Sequence, residues 1–212
     1  MQDKTSKVNL LTRWTGNQRR IGITGGIASG KSSVGNYLAE GKKLRIIDAD
    51  VYSREILAPG TSATERIIKR YGNKIVHDSE NPLKAIDRMA LRKLIFNNKK
   101  EKIWLEKLVH PIILEKIENE LEVLASEDVI ILILPLLFEL ELTGLCSEIW
   151  VIECTLEQQV SRLQQRDAIS EEHALKIINS QISLKRKKEF ADVIINNGEE
   201  PMLWKSQIDS LI

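Results

Sequence analysis

Cysteine is scarce: Cys146 and Cys154 are the only two among 212 residues. That count excludes a disulfide framework and a cysteine zinc site, and both thiols read as small buried hydrophobes in a reducing compartment. Charge of one sign is just as scarce. Lys and Arg number 31 against 30 Asp and Glu, a net charge of +1. This disfavours a nucleic-acid binder that works through a broad basic field, although not a local basic pocket. Long apolar runs are missing too. The longest, residues 129–138, lies between Asp128 and Glu139 and is about half of what a membrane span requires. Residues 1–20 hold no continuous apolar segment, so no secretory signal is expected, and Asp3 fits a transit peptide poorly. There are no internal repeats and no low-complexity tracts. A cytoplasmic protein with neither membrane nor nucleic acid as partner is expected, as a monomer or weak oligomer.

What is present is an ordinary globular composition, 42% hydrophobic and 29% charged, too apolar for a disordered chain. Residues 1–19 read as a polar, partly unstructured leader, and the fold is expected to begin at Arg20. Ile21-Gly22-Ile23-Thr24 is a short β-rich run entering a glycine-dense loop, with an amphipathic helix over about 31–40 and a second strand over 44–47. This βαβ order points to a parallel sheet. Residues 51–126 read as almost wholly helical, broken at Pro59-Gly60, Gly72-Asn73, Asn81-Pro82 and His110-Pro111. Three more strands follow, over 129–134, 149–153 and 193–196, with a charged helical stretch over 156–189 between the last two and a final helix over 201–212. The expected architecture is α/β: a five-stranded parallel sheet (core about 20–58 and 127–212), a helical lobe inserted over about 59–126, and a helical lid over about 156–189.

Gly25-Gly26-Ile27-Ala28-Ser29-Gly30-Lys31-Ser32 matches G-x-x-x-x-G-K-[ST] at every specified position, after a strand and before a helix. Glycines admit positive φ and turn successive N–H groups around phosphate oxygens, and the helix N-terminus adds partial positive charge. Lys31 is placed to reach the β- and γ-phosphates, and Ser32 to ligate Mg²⁺. A GTPase would show D-x-x-G, which is absent. The string Asn98-Lys99-Lys100-Glu101 falls short of N-K-x-D and reads as a solvated charge run. A nucleoside triphosphate site in a small-molecule kinase is the reading left.

On the acceptor side, Asp48 and Asp50 follow the second strand. While the chain stays extended they share a face, one suited to act as base and one to hold a metal's water shell, against the alternative of a helix cap. Arg54 suits an acidic part of the acceptor or an exposed structural role. His110 suits a ligand contact or a helix start, and Glu139 brings a carboxylate to the cleft mouth at the end of the third strand, where a substrate contact is expected. Arg162 and Arg166 share a helix face, where they repel mildly unless an anion lies between them. Lys185-Arg186-Lys187-Lys188 reads as a solvated helix end.

The ordered motifs ITGGIASGKSSV, IDADVYSREIL, LVHPII, LPLLFE, RLQQRD and ADVIINNG resemble those of the dephospho-coenzyme A kinase family, over about residues 20–198. The resemblance implies a P-loop core with a CoA-binding lobe and a lid. It also implies ATP-dependent phosphorylation of the ribose 3′-hydroxyl of dephospho-CoA, the last step of coenzyme A biosynthesis. It places the ATP loop on residues 25–33, ending at Ser33, and the acceptor-activating carboxylate on Asp50 with Asp48 beside it. The lid arginine falls on Arg166 with Arg162 a turn earlier, and lobe contacts on Arg54 and His110. Ala28 stands where the family usually has glycine, Ser33 where threonine is usual, and Leu134 where many members have an acidic residue. A nucleoside monophosphate kinase and a non-catalytic ATP-binding module are the rival readings.

Overall fold

The computed structural model describes residues 12–76, 85–96, 98–198 and 200–212. The chain divides into two compact units, Met1–Asp48 with Leu124–Ile212, and Ala49–Val123.

Five short runs rich in isoleucine and valine make the first unit's sheet: β1 (Arg19–Gly25), β2 (Arg45–Asp48), β3 (Val129–Ile133), β4 (Glu148–Glu153) and β5 (Val193–Asn196). All pairings are parallel, in the order β2-β3-β1-β4-β5, the five-stranded parallel sheet expected. Alternation along the strands feeds two faces. On one, Ile21, Ile23, Ile131, Ile133, Trp150, Ile152 and Ile195 pack with Val34 and Leu38, and with Trp204 and Ile208. The first two come from α1 (Lys31–Asn36) and the π-helical turn Tyr37–Gly41 that prolongs it. The second two come from α9 (Pro201–Asp209). On the other face Gly22 leaves room for Cys146 and Leu137, which a β-carbon there would strike.

Both cysteines are free and buried, and burial pushes the Cys146 thiol up to about 12. The contacts of the fold begin before Arg20. Trp14 N donates to the Cys146 carbonyl at 2.9 Å, the Arg20 guanidinium stacks 3.6 Å from the Trp14 ring centre, and Arg13 donates to the Phe190 carbonyl. The later part of the expected leader is therefore a packed strap; residues 1–11 lie outside the described residues.

The second unit is helical: α2 (Ala49–Ile56), α3 (Ser62–Tyr71), a 3₁₀ turn Gly72–Ile75, α4 (Arg88–Phe96) and α5 (Lys99–Val123). Ile56, Ile67, Ile75, Leu91, Leu108 and Val109 form its core. Pro59-Gly60 separates α2 from α3 and Gly72 ends α3, whereas Asn81-Pro82 lies outside the described residues. The break expected at His110-Pro111 does not occur, for Pro111 sits inside α5. An interior proline costs about 3 kcal/mol, but Leu108 and Val109 before it and Ile112 and Ile113 after it all pack on the same core, so burial carries the helix through.

The charge run at 98–101 is also not solvated throughout. Asn98 Oδ1 caps the start of α5, and Glu101 accepts from Arg70 at 2.7 and 3.0 Å and from the Tyr71 hydroxyl at 2.5 Å. The Arg70 bond, then the Tyr71 bond, hold the Glu101 carboxyl down at about 2. A depressed acid contributes stability above its unfolded value, near 4.3, and loses it as pH falls toward the folded one. The melting temperature of the parent is therefore expected to exceed that of Glu101→Gln at pH 6, with the gap closing between about pH 4.3 and pH 2. A gap that stays constant across that range would assign the effect to packing.

Candidate active site

The loop that leaves β1 is shaped by backbone no ordinary residue takes. Gly25 has φ 152°, and a β-carbon there would press on the Ile152 carbonyl and the Ser29 hydroxyl. Gly30 has φ 96° and opens α1, with Ser33 N donating to its carbonyl at 3.0 Å. Between them Ala28 takes φ 58°, the left-handed region where a β-carbon is a burden. Lys31 folds back over the loop and donates to the Gly26 carbonyl at 2.8 Å. Ser29 is fully buried, while Ser32 and Ser33 are exposed in the first turn of α1.

Helix α6 (Leu156–Asp167) supports this loop. Its Thr155 cap and Gln158 form a reciprocal capping box. Val160 and Leu163 then pack with Ala174 of α7 (Glu171–Asn179) against Ile27 and Ala28. Gln159 donates to the Ile27 carbonyl at 2.9 Å, and Ile27 N donates to Gln181 Oε1 at 3.1 Å. Asn197, just past β5, donates to the Ser29 carbonyl at 2.9 Å.

Arg162 and Arg166 do not form the mutually repelling pair expected from their spacing. Arg162 is half-buried and donates to the Ala28 carbonyl at 3.3 Å and the Asn197 carbonyl at 3.0 Å. Arg166 is exposed and makes a two-pronged contact with Asp167 at 2.8 and 2.9 Å. One arginine is built into the loop's wall and the other is exposed beside Asp167. Gln159 and Gln181 belong to no motif, although Gln159 lies three residues before Arg162 on the same helical stripe, a periodicity that points to it; Asn197 stands in the ADVIINNG string, where no role was expected of it.

Lys187 departs furthest from expectation. Rather than lying in a solvated helix end, it is fully buried in α8 (Leu184–Lys188), 2.9 Å from Glu139 Oε1. Glu139 Oε1 also accepts from Ile182 N at 3.2 Å. This carboxylate, expected as a substrate contact, is thus engaged by the protein itself.

Asp48 is half-buried as the last residue of β2, in register with Ile133 of β3, which also pairs with Ile23 of β1. Asp48 thus ends its strand in the same row of the sheet, two residues short of Gly25. The shared face expected for Asp48 and Asp50 does not arise, because α2 begins at Ala49 and alternation stops there. In the second unit, Asp50 is exposed in the first turn of α2, Arg54 is exposed in its last turn, and His110 is half-buried inside α5. Burial lowers the His110 pKa, partly offset by Glu106.

The model of the dephospho-CoA kinase family matches residues 19–201. The chain belongs to the dephospho-CoA kinase family. It is 46% identical to the dephospho-CoA kinase of Prochlorococcus marinus strain NATL2A over 211 residues, covering 100% of this chain and 99% of that one. It is 46% identical over 200 residues to the enzyme of the same name from strain MIT 9313, covering 94% and 98%. The solved dephospho-CoA kinase from Campylobacter jejuni superposes with a TM-score of 0.64 at 30% identity, covering 91% of this chain and 94% of that one.

Two departures from the dephospho-CoA kinase pattern have local explanations. Ala28 stands at the left-handed position that explains a usual glycine, held there by its packing with Val160 and Leu163. Leu134 is buried and extends the β3 ladder by donating to the Ile23 carbonyl at 2.9 Å.

Proposed function

We propose that this chain transfers the γ-phosphoryl group of ATP to the ribose 3′-hydroxyl of dephospho-CoA, giving coenzyme A. The observation that carries the reading is the Gly25–Ser33 loop at the end of β1, with Lys31 folded over it, in a chain that matches the family from residue 19 to residue 201. The N–H groups of Gly26, Ala28 and Gly30 line the phosphate path with those at the start of α1, while those of Ile27 and Ser29 are taken by Gln181 Oε1 and the Gly26 carbonyl. Lys31 neutralises oxygens of the β- and γ-phosphates and Arg166 covers the γ-phosphoryl group. Arg162 keeps the loop's wall in place and adds its charge.

Asp50 accepts the proton of the 3′-hydroxyl as its oxygen bonds to the γ-phosphorus and the β–γ bridging oxygen departs on ADP. Arg54 and His110 contact the acceptor, and burial lowers the His110 pKa. Among the described residues no three His, Cys, Asp or Glu gather as a metal cluster. That fits Mg²⁺, which is held by few protein groups together with substrate phosphates and water. The exposed Ser32 hydroxyl and the Asp48 carboxylate would hold it, and when bound it would offset charge on the β- and γ-phosphates. Among the described residues no helix is long and apolar enough to cross a membrane. Two buried free thiols suit the reducing cytoplasm.

An acceptor panel with ATP and Mg²⁺, read by product mass, tests the assignment. Phosphate is expected on dephospho-CoA; transfer to AMP, CMP or UMP instead would make the chain a nucleoside monophosphate kinase. In the same assay Asp50→Asn is expected to lower kcat by about 10²-fold with ATP affinity little changed. Weak ATP binding with normal kcat at saturation would make Asp50 a metal or nucleotide ligand.

A further inference from the structure

Lysine is almost never fully buried without a partner, and Lys187 is buried completely. Its ammonium has three donors, and three acceptors surround it: Glu139 Oε1 at 2.9 Å, the Pro135 carbonyl at 3.3 Å and the Gly25 carbonyl at 3.5 Å. The last contact reaches the first residue of the phosphate loop. A buried ion pair is a poor way to gain stability, since an uncharged pair of similar volume often does as well. Glu139 Oε2 is moreover buried with no hydrogen-bond partner among the described residues, a cost that packing alone leaves unexplained.

We propose that the Lys187–Glu139 pair positions the phosphate loop by fixing the Gly25–Gly26 peptide, a role that rests on the nucleotide reading above. In a planar trans peptide the carbonyl and the N–H point in opposite directions. Holding the Gly25 oxygen at Lys187 therefore turns the Gly26 N–H away from it. Lys31 does the same one peptide later: its Nζ holds the Gly26 oxygen at 2.8 Å, and the Ile27 N–H on the far side of that peptide meets an acceptor oxygen, Gln181 Oε1. Two lysines from opposite ends of the chain thus orient two successive peptides at the loop's entry. Glu139 supplies the counter-charge beside the buried ammonium. It also ties the Pro135–Glu139 segment to Ile182, ahead of α8. Neither residue needs to touch the nucleotide.

The test compares Lys187→Met, Glu139→Gln and the double variant Lys187→Met/Glu139→Gln. Glu139→Gln keeps an oxygen for Ile182 N. Three quantities are read: melting temperature without ligand, the rise in melting temperature with ATP, and the KM values of both substrates. Lys187→Met leaves a carboxylate buried and unpaired, so it is expected to melt lowest; the neutral double variant should recover most of that loss. In both, KM for ATP is expected to stay raised by about tenfold, the worth of one charge-assisted contact to the loop. The ATP-induced rise should be reduced and the KM of the acceptor unchanged. Full recovery of both melting temperature and ATP KM in the double variant would reduce the pair to a structural role and overturn the proposal.

Should the double variant fail to fold, Glu139→Gln alone decides. With Lys187 still on the Gly25 oxygen, its ATP KM is expected near the parent's even if it melts lower, and a rise as large as that of Lys187→Met overturns the proposal. A parent protein that ATP does not stabilise would instead overturn the nucleotide reading itself.

Discussion

Lys31→Ala is expected to give a folded protein that has lost phosphoryl transfer, with kcat/KM down by about three powers of ten. The lysine lies half-buried at the start of α1 and is absent from every core cluster. Its removal takes away a tether to the Gly26 carbonyl but no buried hydrophobic side chain, so the melting temperature without ligand should move little. On the proposed mechanism the kinetic loss is large because the charge acts where negative charge builds on the transferring group. Steady-state kinetics and ligand-free melts on the same preparation check both halves. A folded variant that retains more than about a tenth of normal turnover would exclude the loop from the chemistry.

Arg166→Ala is expected to lower kcat/KM by two to three powers of ten, about 3–4 kcal/mol of transition-state binding. Ligand-free stability should nevertheless be unchanged. The side chain is exposed, and its ion pair with the adjacent Asp167 is of a kind worth about 0–1 kcal/mol. Arg162→Ala should behave in the opposite way. Its guanidinium joins the Ala28 and Asn197 carbonyls, so the melting temperature should fall and KM for ATP should rise more than kcat drops. Near-normal kinetics in Arg166→Ala, or a large drop in its melting temperature, would show that this arginine serves the structure and that another residue covers the γ-phosphate.

The strands and the loop were legible because their signals are local. Isoleucine and valine runs mark β1, β3 and β4, and two glycines at fixed spacing ahead of a lysine mark the phosphate loop. What escaped depends on tertiary neighbours. Nothing in Lys185-Arg186-Lys187-Lys188 distinguishes the third residue, yet Lys187 is buried while Arg186 and Lys188 pair at the surface with Glu189 and Glu153. Glu101 looked solvated because its partners Arg70 and Tyr71 lie about thirty residues earlier. Pro111 looked like a stop because proline's local penalty is visible in sequence and the core contacts that override it are not. Asp48 and Asp50 were placed on one face by a rule for extended chain that ends where α2 begins.

The sheet order also has a consequence for how the chain acquires its shape. β1 is central, and its partners in register are Val129 to Ile133 on one side and Glu148 to Ile152 on the other. A ribosome must therefore add more than a hundred residues after β1 before either neighbouring strand exists. Helices α2 to α5 need no such wait, because their core is drawn from residues 56–113, and contacts between near neighbours in sequence form fastest. During synthesis the helical unit can settle while β1 and its loop still lack both flanking strands. The phosphate loop is thus translated ahead of every segment that holds it and is among the last to be fixed. Until β4 and β5 arrive it lacks Ile152, Gln159, Asn197 and Lys187, so an unfinished chain has no ordered cradle in which to hold a nucleotide.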